Sequence, residues 1–205
     1  MQKNIFLYIA VAVSILFIIG IGYTQLLKPQ LDNRTVSETV RMPITSPEVG
    51  LTFTYPSGQD ALALIEPPID DAQSPVSEVY ILMQNDEYNK YTNENGGTPP
   101  PTISVFVLPY IEPADVEGLS RTERLVKWAT LNPAFSSYGV ATSEPEETEI
   151  DGSRAIKYQT KSVYNQTVYL TMYDKNIYIF TGQYREENDI LRELFTGVID
   201  SVILD

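Results

Sequence analysis

Asp70-Asp71 and the run Glu144, Glu146, Glu147, Glu149 bring carboxylates close together in sequence, and hard oxygen donors are what calcium selects. Neither follows the spacing of an EF-hand loop, and both read more simply as solvated charge. Two carboxylates held ~5–9 Å apart can also hydrolyse a glycosidic bond, one as acid and one as base or nucleophile. With 27 Asp and Glu in 205 residues, close pairs arise by chance, and sequence spacing selects none of them. Ser120 follows Gly118-Leu119 like half of a nucleophile elbow. Ser120-Arg121-Thr122-Glu123 is better read as a capping box, with the hydroxyl accepting from the third helical amide and the Glu reaching back.

The chain has no His and no Cys. That removes the Ser-His-Asp triad, His- or thiolate-held metals, a Cys nucleophile, disulfides and a lipidated Cys. The phosphate-loop, dinucleotide, zinc-protease and G-x-S-x-G patterns are also missing from the sequence. No catalytic, cofactor-binding or metal-ligating residue is therefore assigned, and no cofactor is expected. A net charge of −13 repels phosphate backbones and anionic lipid, so nucleic acid is a poor partner.

One stretch carries a binding signal of another kind. Gln84 to Thr102 holds Asn85, Asp86, Asn89, Asn93, Asn95, Gly96, Gly97 and three prolines from Pro99. That composition packs no core and reads as a long exposed loop. Tyr88 and Tyr91 are its only large side chains. They make it either a recognition loop with tyrosine anchors or a flexible insertion.

The elements that must hold such a loop follow from periodicity. Leu51-Thr52-Phe53-Thr54-Tyr55 alternates apolar and polar before Pro56-Ser57-Gly58, a strand and a turn. Ala61–Ile65, Val79–Met83 and Ile103–Leu108 are further strands, the last two rich in β-branched and aromatic residues. After the capping box, Leu125, Trp128, Ala129 and Leu131 fall on one helical face that stops at Asn132-Pro133, with Trp128 as a core plug. Thr148–Ile150 and Arg154–Lys161 flank Asp151-Gly152, a type I′ hairpin signal. Val168–Tyr173 and Ile177–Tyr184 form a second hairpin around Asp174-Lys175-Asn176. Glu186, Glu187 and Asp189 suit a helix start, and Ile190, Leu191, Leu194, Phe195, Val198, Ile199 and Val202 keep helical spacing. Gly197 weakens its last turn.

Ile5 to Leu27 is the strongest single signal, 23 residues without a charge. At ~1.5 Å per residue they span ~34 Å, enough for a ~30 Å hydrocarbon core. Tyr8 and Tyr23 lie near its ends, where aromatic rings favour the membrane interface. Small residues suited to signal cleavage occur late only at Gly20-Ile21-Gly22, so an uncleaved signal-anchor is favoured. Lys3 stands at one end and Lys28, Arg34 and Arg41 at the other, which leans mildly against export of the domain; long domains nevertheless cross largely regardless of such charges. All 27 acidic residues follow Lys28, against 12 basic ones, so the remainder carries −15. The expected organisation is an anchor over 1–28, a polar Pro-containing tether over 29–48 and an acidic α+β domain over 49–205.

Gly50-Leu51-Thr52-Phe53-Thr54-Tyr55-Pro56 resembles the opening strand of PsbP-like domains, the family of the photosystem extrinsic protein. Asp151-Gly152 before Ala155, and Asp174-Lys175 before Ile177-Tyr178-Ile179, resemble that family's paired C-terminal hairpins. Ile199-Asp200-Ser201-Val202-Ile203-Leu204 resembles its closing helix and apolar tail. The resemblance covers about residues 48–205, and many single-span bacterial proteins of unassigned role look like this chain. It implies an antiparallel sheet flanked by helices, an αβα sandwich, in a fold that generally binds protein partners and has no shared active site. Gln59 and Asp60 stand where relatives often carry a Trp. No counterpart exists here for the His that binds metal in some of them.

The expectation is a single-pass membrane protein, bound to the bilayer through 5–27, with an extracytoplasmic, non-enzymatic binding or assembly domain and a protein partner. The alternatives are a carboxylate-based hydrolase of envelope polysaccharide and a cytoplasm-facing membrane adaptor.

Overall fold

The hairpin signals set the architecture. In the computed structural model, which describes residues 40–58, 61–67, 75–93 and 98–205, ten strands form two antiparallel sheets. The first strand, β1 (Val40–Ser46), returns as β2 (Leu51–Ser57). Then come β3 (Leu62–Ile65), β4 (Glu78–Gln84), helix α1 (Asn85–Asn93) and β5 (Thr102–Pro109). Helix α2 (Arg121–Leu131) and the short α3 (Pro133–Ser136) precede a meander of β6 (Glu146–Ile150), β7 (Ser153–Lys161), β8 (Asn165–Tyr173) and β9 (Asn176–Tyr184). Helix α4 (Ile190–Ile199) and β10 (Ile203–Leu204) close the chain. The large sheet has the order β3-β4-β5-β9-β8-β7-β6, and the small one β1-β2-β10.

Alternation along the central strands builds two cores. On β9, Tyr178 and Phe180 join Leu191, Phe195 and Val198 of α4 and Leu51 and Phe53 of β2. Ile177 and Ile179 point the other way, to Leu125, Trp128 and Ala129 of α2. The layers are thus α2, the seven-stranded sheet, and α4 together with the small sheet. The domain is α+β and antiparallel, as expected, but the expected single sheet is two. The reason is the pair of prolines. Pro43 opposes Thr54 and Pro56 opposes Arg41, so both occupy the alternate positions whose amides point away from the β1–β2 ladder. The missing N–H of Pro43 then faces the free edge of β1, a poor template for a further strand.

Asp151 and Gly152 both have positive φ, 47° and 70°, as the type I′ turn requires. Asp174 (φ 48°) and Lys175 make a loop one residue shorter than Asp174–Asn176, since β9 already starts at Asn176. The capping box forms: Glu123 N–H donates to Ser120 Oγ (3.3 Å) and Ser120 N–H to Glu123 Oε2 (2.7 Å). Trp128 is buried as a core plug.

Four expectations need correction. Residues 40–46, inside the stretch read as tether, form β1, because pairing with β2 satisfies a backbone that shows no periodicity of its own. Gln84–Thr102 is not all loop, since Asn85–Asn93 is helical with Asp86 and Glu87 in its first turn and Lys90 in its last, which suits the helix dipole. Leu131 is 61% exposed in the last turn of α2, and of the expected face only Leu125, Trp128 and Ala129 are buried. The helical spacing read through Val202 stops at Ile199, and the apolar tail beyond it forms β10, paired with Leu51 and Thr52. Two residues before β10, Ser201 finishes the edge of β2: its Oγ accepts from Thr54 N–H (2.9 Å), and its one proton is shared between Val198 C=O (2.8 Å) and Thr54 C=O (3.1 Å). Among the described residues no helix is long and apolar enough to cross a membrane. The segment 5–27 lies outside the described residues, as do residues 29–39 of the tether and Asp70-Asp71.

Candidate recognition surface

Nine polar residues do not make a stable helix alone in water, because nucleation is costly and the chain short. Helix α1 is therefore held from outside, and none of its residues belongs to either core. At its start Asn85 N–H donates to Ala61 C=O (3.0 Å) and Asn85 Nδ2 to Gly58 C=O (2.6 Å). One turn in, Glu87 meets Arg185 at 2.8 Å across 98 residues of sequence. Arg185, half exposed, also lies 6.0 Å from the centre of the Tyr164 ring. Exposure and salt screening hold such an ion pair to about 0.5–1 kcal/mol.

The far side of the insertion is tied to the same end of the sheet. Tyr164 Oη donates to Pro99 C=O (2.8 Å). Thr102 directs its N–H and hydroxyl to Gln183 Oε1 at 3.2 and 3.3 Å. Asn165 Nδ2 reaches Arg185 C=O (3.2 Å). Tyr88 sits half-buried on α1 and Tyr91 is 37% exposed, three residues apart and so on neighbouring parts of one helix face. The β7–β8 turn adds Val163, 73% exposed.

Behind this rim is a buried polar set on the α4 side. Gln159 Oε1 accepts from Tyr184 Oη (2.8 Å) and Thr167 Oγ1 (3.1 Å). Arg192 lies 5.6 Å over the Tyr184 ring and pairs with Glu187. Asp189 caps α4, accepting from Leu191 N–H with one oxygen and Arg185 N–H with the other, each at 3.0 Å. An open hollow of about 400 Å3 lies here, lined by Glu187, Asp189 and Glu193 with Arg192 and Thr196. Two of its three carboxylates are already engaged, Glu187 by Arg192 and Asp189 by backbone amides.

The other carboxylates do not converge. Among the described residues no group of three or more His, Cys, Asp or Glu is placed to hold a metal. On β6, Glu146 stands opposite Lys157 and Glu149 opposite Arg154 in the β6–β7 register. Glu146 and Glu147 point to opposite sheet faces by the period-two rule. Ser120 is occupied as the cap of α2. Its partner Glu123 is held below the ordinary carboxyl range by the Ser120 hydroxyl first and the Ser120 amide second. Burial pushes the Tyr158 and Tyr178 phenols up; Tyr158 donates to Ser136 C=O at 2.7 Å inside the α2-side core. Sequence reading picked Tyr88 and Tyr91 but not Tyr164 and Arg185. The one available signal was the pair Val163-Tyr164 between two strands, a position where turns usually carry polar residues.

No family model matches the chain, and no curated protein does either. Solved structures do. The solution structure of cyanobacterial PsbP (CyanoP) from Synechocystis sp. PCC 6803 is similar at a TM-score of 0.50 and 17% identity, over 83% of this chain and 95% of that one. A crystal structure from Bacteroides thetaiotaomicron VPI-5482 reaches a TM-score of 0.46 at 9% identity, over 80% of this chain and 48% of that one, too distant to support an argument. The fold is PsbP-like, and at 17% identity the likeness extends to fold alone.

Proposed function

We propose that the chain is a membrane-anchored, non-enzymatic binding module, held by residues 5–27, with its acidic domain outside the cytoplasm and its contact surface at the α1 end. One observation carries this reading: an insertion whose described residues join neither core is clamped on both sides, by Glu87–Arg185 on one and Tyr164–Pro99 on the other. Holding a surface element in place in advance lowers the ordering cost of binding, and loops set on a rigid scaffold are where binding residues gather.

The test uses the full chain in its native membrane. A photo-crosslinking residue in place of Tyr91 should capture a specific adduct that Glu87→Ala reduces several-fold, and alkaline carbonate should leave the chain in the membrane. Protease added to intact cells should remove the domain; survival of the domain would favour the cytoplasm-facing adaptor. The polysaccharide hydrolase finds its best footing in the Glu187–Asp189–Glu193 hollow, where prior engagement of two carboxylates argues against it. Turnover abolished by Glu193→Gln would restore that reading.

A further inference from the structure

The α1 end is also where the chain enters the domain. Val40 opposes Ser57, and the next residue, Gly58, accepts the hydrogen bond from the first residue of α1. Only twelve residues separate Leu27 from Val40, so even fully extended they span about 40 Å. Large apolar side chains stand exposed at this end: Val40 (60%), Met42 (44%), Tyr91, Val163 and Ile190 (48%), with Val140 beside the Ala141–Thr160 bridge. They are spread over separate elements, and of them only Ile190 borders the hollow beside α4, unlike the contiguous apolar patch typical of a protein interface.

Charge follows the same division. The chain after Lys28 carries −15, yet strands β1, β2 and β10 hold a single charged side chain, Arg41. At the α1 end Asp86, Glu87 and Glu187 are each paired with a basic residue, while Glu186 beside Arg185 and Glu193 on α4 stand exposed. Lys161, the last residue of β7, adds positive charge. The acidic edge strand β6 lies at the margin of the large sheet. Scattered Val, Ile and Met side chains beside Tyr, Arg and Lys suit the headgroup boundary, where aromatic rings and long cationic side chains settle with apolar parts inward.

We infer that what the α1 end meets is the lipid bilayer itself, so that the domain rests on the membrane that holds it; the inference depends on the anchored reading. A weak interfacial contact is enough, because a short tether keeps the effective concentration high.

The chain's lack of Cys makes the test direct. Full-length protein is placed in nanodiscs of roughly 3:1 phosphatidylcholine to phosphatidylglycerol, with one environment-sensitive fluorophore at Val163→Cys or, at the opposite end of the sheet, at Lys175→Cys. Doxyl-labelled lipid should quench the Val163 label several-fold more than the Lys175 label. Val163→Asp with Ile190→Asp should remove the difference, read from a label at Tyr91→Cys. Equal quenching at both ends, with the chain still resistant to carbonate extraction, overturns the inference and leaves the anchor standing. A Val163 label shielded only as protein per disc rises points to a second copy and overturns it as well. Release by carbonate overturns the anchor, and the inference with it.

Discussion

Gly182 lies on β9 beneath the ring of Phe195. A Cβ added there would meet Phe195 Cδ1 at 2.4 Å, Cγ at 2.5 Å and Cβ at 3.0 Å, all closer than packed carbon atoms tolerate. These atoms sit near the root of the side chain, so a rotation at its tip gives no relief. Phe195 is itself buried and edge-on to Tyr169, with 5.8 Å between ring centres. Gly182→Ala therefore has to push α4 off the sheet or force Phe195 out of its rotamer, an overpacking cost of about 1–3 kcal/mol. Loss of unfolded-chain freedom returns about 0.4–1 kcal/mol, and the tightness of the contact places the overpacking in its upper range, so the net loss should be about 1–2 kcal/mol. For a domain of this size that is a fall in melting temperature of about 3–8 °C. Urea unfolding followed by far-ultraviolet circular dichroism measures it. The diagnostic is a double-mutant cycle with Phe195→Leu: the pair should lose less than the sum of the singles by at least about 0.5 kcal/mol. Gly182→Ala that unfolds like the parent, or strict additivity in the cycle, would refute the packing of α4 described here.

Three further outcomes follow from the geometry. Ser201→Ala strips Thr54 N–H of its acceptor and removes the hydroxyl proton shared by Val198 C=O and Thr54 C=O and should cost about 1–3 kcal/mol, with amide exchange at Thr54 accelerating in step. Glu123 has its carboxyl lowered from 4.5 by Ser120, so its stabilisation is complete above that value and lost as pH falls through the lower folded value; the stability gap between the parent and Glu123→Ala, followed by urea midpoints against pH, should narrow on acidification. Tyr158 and Tyr178 are raised from 10.0 by burial, so their neutral burial stabilises fully below pH 10 and is lost as pH climbs above it; absorbance at alkaline pH should show the most accessible of the 14 tyrosines ionising first and these two only as the domain unfolds.

Local signals were legible wherever a few neighbouring residues decide the outcome. The capping box at Ser120, the Asp151-Gly152 turn and the alternation of β2 and β5 each depend on short-range sterics and hydrogen bonding, which the sequence carries in full. The helix over Asn85–Asn93 was not legible, because its amphipathic signal is weak and its support comes from Gly58, Ala61 and Arg185, remote in sequence. The short strand β10 was hidden for the same reason, since two residues acquire extended structure only when Leu51 and Thr52 are there to pair with them.

The sequence by itself determined the chemistry available: no imidazole, no thiol, a strongly acidic domain and an uncharged 23-residue run near its start. These are properties of residue identity and need no neighbours. Tertiary structure decided which carboxylates stand together, that two prolines divide the strands between two sheets, and that Val40, Tyr91, Val163 and Ile190 share one end of the domain. Those facts depend on pairing between residues tens to more than a hundred positions apart. Contacts at that range arise from burying two faces of one sheet at once, which no local pattern encodes.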